Sequence, residues 1–80
     1  MLEELKKNID CLNNCLRELH MGVRYEFSYD SCYYVLKKIV AGDLLVVLRS
    51  TYTEVNHHVF LLKDVFETMM YSKQMEGGVF

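Results

Sequence analysis

The sequence has no proline, no tryptophan, only four glycines and no long apolar run. Each shortage excludes something. With no linker, repeat or low-complexity stretch, nothing divides the 80 residues, and length predicts a single compact domain over 1–80. The terminal pair Gly77-Gly78 predicts a flexible tail at 76–80. The longest aliphatic stretch is Leu44 to Leu48, five residues, where a membrane-spanning helix needs about 20. Positive charge is not in excess: nine Lys and Arg face eleven Asp and Glu, a net charge of −2. That opposes non-specific nucleic-acid binding, which needs clustered cations, and it is too mild for an acidic mimic of DNA.

Other absences bound location and chemistry. Met1-Leu2-Glu3-Glu4 lacks the basic region that opens a secretion signal. The cysteines, Cys11, Cys15 and Cys32, are odd in number. A small secreted domain is normally stapled by paired disulfides, so unpaired use predicts a reducing, cytoplasmic setting. No G-x-G-x-x-G, Walker loop, H-E-x-x-H or G-x-S-x-G is present. The expectation is a non-enzyme without cofactor. A chain that starts at Met1 with no tag is expected to be a complete small gene product.

What is present is an apolar fraction of 51% arranged in readable periods. Leu2, Leu5, Ile9, Leu12, Leu16 and Leu19 recur at spacings of 3, 4, 3, 4 and 3, a heptad seam that predicts a helix over 1–21 with Gly22 at its end. Ordering a residue costs about 1.5 kcal/mol, more than one apolar stripe returns. The helix therefore needs a surface, either its own sheet or a second copy. Residues 23–29 alternate cleanly, with Val23, Tyr25, Phe27 and Tyr29 opposed to Arg24, Glu26 and Ser28, and predict a strand.

Residues 31–41 satisfy two templates. Cys32, Val35, Leu36, Ile39 and Val40 fit one helical face, whereas Tyr33, Tyr34 and Val35 favour a strand. The helical reading is preferred. The run Leu44–Leu48 predicts a strand over 44–53 buried on both faces, hence central. His58 to Lys63 reads as another strand, followed by a helix from Asp64, where Asp64 and Glu67 match a capping box. The alternative starts that helix at Asn56. The fold class is α+β: an N-terminal amphipathic helix, a small mainly antiparallel sheet and a C-terminal helix. If 31–41 is a strand, the order is similar to that of the double-stranded-RNA-binding domain. That family reads phosphates from a basic cluster opening its last helix, and the starts available here carry Asn56, His57 and His58, or Asp64 and Glu67.

The chemistry-bearing residues have plain readings. Cys11 and Cys15 lie i, i+4, a spacing that can present two thiolates to a metal, with His57 and His58 as completing ligands; Cys15 as a small apolar residue beside the seam is the simpler reading, and no metal is expected. Cys32 with a histidine could form a nucleophilic pair, but no motif surrounds either. His20, His57 and His58 are expected to be solvated rather than pH sensors. Lys6-Lys7 and Lys37-Lys38 are the only basic doublets, and nucleic acid is not the expected partner. Adjacent Tyr33 and Tyr34 cannot share a strand face, so one is expected to be exposed, and exposed tyrosine marks protein-binding surfaces.

These observations predict a non-catalytic interaction protein, a cytoplasmic homodimer that binds and modulates or inhibits a larger protein, with no membrane association. Tyr33, Tyr34 and Tyr52 are the expected partner anchors. Leu5, Ile9, Leu12, Leu16 and Leu19 form the expected oligomer seam, with Asn8 beside it to set register. Small chains rich in Cys, Met and Tyr without Trp or Pro are frequent among phage and mobile-element inhibitors of host factors, a compositional association. The alternatives are a small nucleic-acid-binding or transcription-regulating protein, and a structural subunit of a larger assembly.

Overall fold

A helix α1 (Leu2–Glu18), three strands β1 (Val23–Asp30), β2 (Tyr33–Val40) and β3 (Asp43–Ser50), and a helix α2 (Tyr52–Val79) follow one another in this computed structural model. It describes residues 2–79, with side chains from Leu2 to Ser72, and the tail expected at 76–80 lies outside the side chains so described. The fold is α+β. The strands form one antiparallel sheet in the order β1-β2-β3, and both helices pack on one face of it.

α1 follows its heptad seam. Leu5, Leu12 and Leu16 are fully buried and Ile9 nearly so, joined by Tyr25, Leu36, Val55 and Val59 in one core. The helix ends in a Schellman motif: the Met21 N–H donates to Leu16 O and the His20 N–H to Arg17 O, both at 3.0 Å. The left-handed residue that permits this is His20 (φ 55°), two positions before the expected Gly22.

Residues 31–41 are not a helix. Ser31 and Cys32 make a two-residue hairpin loop, and Tyr33–Val40 is β2, paired along its length with β1. The helical spacing arose because both faces of this central strand are partly covered: Leu36 faces the helices while Val35, its neighbour, is buried on the outer face. A second two-residue loop, Ala41-Gly42, has φ of 52° and 84°, the positive pair that a type I′ hairpin turn requires.

β3 is not central. It pairs with β2 alone and forms an edge of the sheet. Four residues of the aliphatic run that predicted burial on both faces stand open, with Leu44 and Leu45 each 52% exposed and Val46 62%, while Leu48 packs against the core. A bulge interrupts its register opposite Leu36 and Lys37.

The stretch His58–Lys63 is not a strand either. α2 starts at Tyr52 and runs through it. Thr51 is its N-cap, accepting from the Glu54 N–H at 3.3 Å, and the Ser50 hydroxyl donates to the Glu54 carboxylate. The capping signature is Thr51-Tyr52-Thr53-Glu54, not Asp64 with Glu67. Val55, Val59, Leu62 and Phe66 recur at helical spacing and pack on the core. α2 lies beside α1 and runs in the same direction: Asn8 Nδ2 donates to Asn56 Oδ1 at 3.0 Å, and Cys15 is close to Lys63 and Glu67.

Candidate interaction surface

The expected oligomer seam is used inside the protomer. Leu5, Ile9, Leu12 and Leu16 are buried between the sheet and α2, and Leu19 is half-buried. Within the protomer that stripe closes the core, with Leu19 alone partly open, because a two-layer fold of this size draws on its N-terminal helix to close its own core. Asn8 is buried as well, and it ties α1 to α2 rather than to another chain.

The three expected tyrosine anchors do not form one surface. Tyr33 is 47% exposed on the outer sheet face, with the Arg49 guanidinium 5.2 Å above its ring. Tyr34 is half-buried on the opposite face. Its ring lies 5.0 Å from Tyr29 and 5.4 Å from Tyr52, centroid to centroid, the latter edge-on. Tyr34 and Tyr52 therefore close one end of the core. Among the described residues the buried Tyr52 hydroxyl has no hydrogen-bond partner.

The residues considered for chemistry remain dispersed. Cys32 is exposed in the first hairpin loop, and among the described residues no hydrogen bond or ion pair links it to His57 or His58. Cys15 is buried, and burial pushes its thiol above the ordinary value, with the Glu67 carboxylate and Cys11 adding to the rise and Lys63 opposing it. Such a thiol is poorly nucleophilic. Among the described residues no three His, Cys, Asp or Glu side chains come together to hold a metal ion. Lys37 and Lys38 are consecutive in β2 and point to opposite faces. In α2 the first Lys or Arg is Lys63. Among the described residues no helix is long and apolar enough to cross a membrane.

What the structure singles out is the contrast between its two sheet edges. An unpaired edge is a template for another strand, and proteins normally block it. β1 is blocked. The Asn13 side chain donates from Nδ2 to Tyr25 O and accepts at Oδ1 from the Tyr25 N–H, both at 2.8 Å, so a side-chain amide stands where the next strand would be. Arg24, Glu26 and Asp30 add charge along the same strand. β3 has neither device: from Leu44 to Leu48 it carries no charge and no proline.

The apolar edge continues onto α2. Leu61, Val65 and Met69 are all exposed at i, i+4, i+8 spacing. They lie on the flank turned away from α1, because Asn56, Lys63 and Glu67 occupy the α1 side. Leu45 lies opposite Lys38, two residues from core-facing Leu36, and so shares the helix-bearing side of the sheet; Leu44 and Val46 project from the other side. Sequence reading found the run in β3 but gave it an interior place. The stripe on α2 was hidden by the assignment of 58–63 to a strand. No family model, no curated protein and no solved structure matches the chain.

Proposed function

We propose that this chain is a non-catalytic protein-interaction module that binds a protein partner through the β3 edge and the adjoining flank of α2, and thereby modulates or blocks it. The observation that carries this reading is the unequal treatment of the two edges, one capped by Asn13 and the other left open and aliphatic. Open edges recruit peptides and strands by main-chain hydrogen bonding, with side chains on alternate sides giving specificity. The energetics support it: complete burial of a Val or Leu side chain is worth about 1.5–3 kcal/mol, and Leu44, Leu45 and Val46 each have about half of that still to gain. Among the described residues the dispersal of Cys32 and the histidines supports a role without catalysis. Three free thiols, one of them exposed, support action in a reducing, intracellular setting. The compositional association with phage and mobile-element inhibitors makes a host factor the partner class.

The test is affinity capture from the native host with the full chain as bait, alongside Val46→Lys on the edge and Ser28→Lys on the outer face of β1. Partners identified by mass spectrometry should be retained by Ser28→Lys and lost by Val46→Lys. A captured set that is identical for the wild type and Val46→Lys overturns the reading.

A further inference from the structure

We propose that the β3 edge is occupied by β3 of a second copy of this chain, paired antiparallel about a two-fold axis near Leu45, so that two three-stranded sheets become one six-stranded sheet. This pairing rests on the reading of β3 and α2 as the working surface: a second copy holds that surface until the larger partner replaces it. An isologous contact requires a patch that complements itself. An uncharged aliphatic strand does so, since antiparallel pairing about Leu45 sets Leu45 against its own mate and Leu44 against Val46 of the second copy, side for side.

The helices fit the same axis. Strands lie about 4.8 Å apart, so a two-fold axis falls half that distance beyond β3. α2 packs over both β2 and β3, which puts it about one strand spacing from the axis. The two copies of α2 then lie about 9.6 Å apart, inside the 8–10 Å separation of packed helices. They would be antiparallel, because the two-fold axis that reverses one β3 against the other reverses α2 with it. The levels agree as well. From Ser50 back to Leu45 is about 17 Å of strand, which α2 retraces in about eleven residues. That brings the axis level with Leu62 to Val65, inside the exposed stripe of Leu61, Val65 and Met69.

Among the described residues only Asp43 and Arg49 bring charge to the two ends of the run, and Arg49 is paired with Asp30 at 3.2 Å.

Sedimentation velocity of the full chain across a dilution series tests the pairing. The expected result is a species of twice 9.5 kDa that dissociates on dilution. Val46→Lys places a charge on the pairing edge, away from the protomer core, and should give a monomer with unchanged far-UV circular dichroism. Val65→Glu, on the exposed α2 flank, should do the same and serves where the strand variant does not fold. Ser28→Lys, on the protected edge strand, should remain dimeric. A wild type that is monomeric throughout the series, or a dimer that survives both Val46→Lys and Val65→Glu, overturns the proposal. A monomeric wild type whose captured partner is still lost with Val46→Lys overturns self-pairing alone and leaves the wider interaction reading standing.

Discussion

Replacing Asn13 with alanine tests whether a side-chain amide acts as the missing neighbour of β1. Both hydrogen bonds to Tyr25, each 2.8 Å long, are lost together. At about 0.5–1.5 kcal/mol net per bond, the loss is about 1–3 kcal/mol. Its position within that range depends on water. The site borders an open groove of about 230 Å³ lined by Ile9, Asp10, Asn13 and Tyr25 among others, so water can rehydrate the freed N–H and C=O, and the expected cost falls in the lower half. For an 80-residue chain total stability is about 4–12 kcal/mol at 0.05–0.15 kcal/mol per residue, so this fraction is measurable. It corresponds to a fall in melting temperature of about 4–8 °C per kcal/mol. Asn13→Asp is the sharper variant. It keeps the size and the acceptor for Tyr25 N–H, but sets a carboxylate against Tyr25 O, and should cost at least as much as alanine. The assay is urea unfolding followed by far-UV circular dichroism at one fixed protein concentration, because the proposed self-association would make stability depend on concentration. Asn13→Ala within about 0.3 kcal/mol of the wild type, too little for even one bond, or Asn13→Asp more stable than the wild type, refutes the amide-for-strand argument.

Three further outcomes are expected. Ala41→Asn should stabilise the second hairpin by up to about 1 kcal/mol, since φ is 52° there and asparagine tolerates the left-handed region better than alanine; a melting temperature below the wild type contradicts the turn assignment. Tyr52→Phe should be neutral or stabilising by up to about 1 kcal/mol, because it keeps the edge-on contact with Tyr34 and deletes a buried hydroxyl that has no partner; a loss above that size shows that the hydroxyl is bonded. Stability should fall in alkali. Burial raises the pKa of both Cys15 and Tyr25 from ordinary values of 9.0 and 10.0, so the unfolded chain gives up these protons first. Their contribution is complete below the unfolded values and is lost as pH rises through the folded ones. The urea midpoint should be flat from neutrality to about pH 8.5 and then decline, with the first part of the decline absent in Cys15→Ala; an unchanged alkaline profile in that variant excludes Cys15 as a source.

Local pattern predicted β1 to within one residue, and α1 except for its last three residues, because each has one buried face and one wet face, so its period is unmixed. It failed where burial is not one-sided. Val35 and Leu36 are adjacent and both buried, and in a central strand covered on both sides that produces a spurious helical stripe over 31–41. The start of α2 was legible in the residues: Thr51-x-x-Glu54 has the capping-box pattern, with Thr51 accepting from the Glu54 N–H while the Glu54 carboxylate turns to the Ser50 hydroxyl, but Val59, Phe60 and Leu61 beside His57 and His58 gave the local appearance of a strand. The seam on α1 was read correctly as apolar, yet spacing alone does not say whether a helix meets its own sheet or another chain. The Asn13 cap on β1 had no sequence signal at all, since it is a contact between residues twelve apart whose meeting depends on how α1 lies over the sheet.

The error over β3 is of another kind, and it bears on function. Five consecutive aliphatic residues are the pattern of a strand with neighbours on both sides and cover above and below, and the protomer supplies a neighbour on one side only. Natural edges are blunted with charge, proline, a bulge or a covering group. At β1 Asn13 supplies the covering group, whereas from Leu44 to Leu48 the more apolar edge has only the bulge opposite Leu36 and Lys37. An exception confined to one edge fits the proposal that this edge is covered in the working state. The proposed pairing with a second β3 would provide the cover, restore the central position that the residue pattern describes, and give Leu61, Val65 and Met69 of α2 a matching flank in the same step.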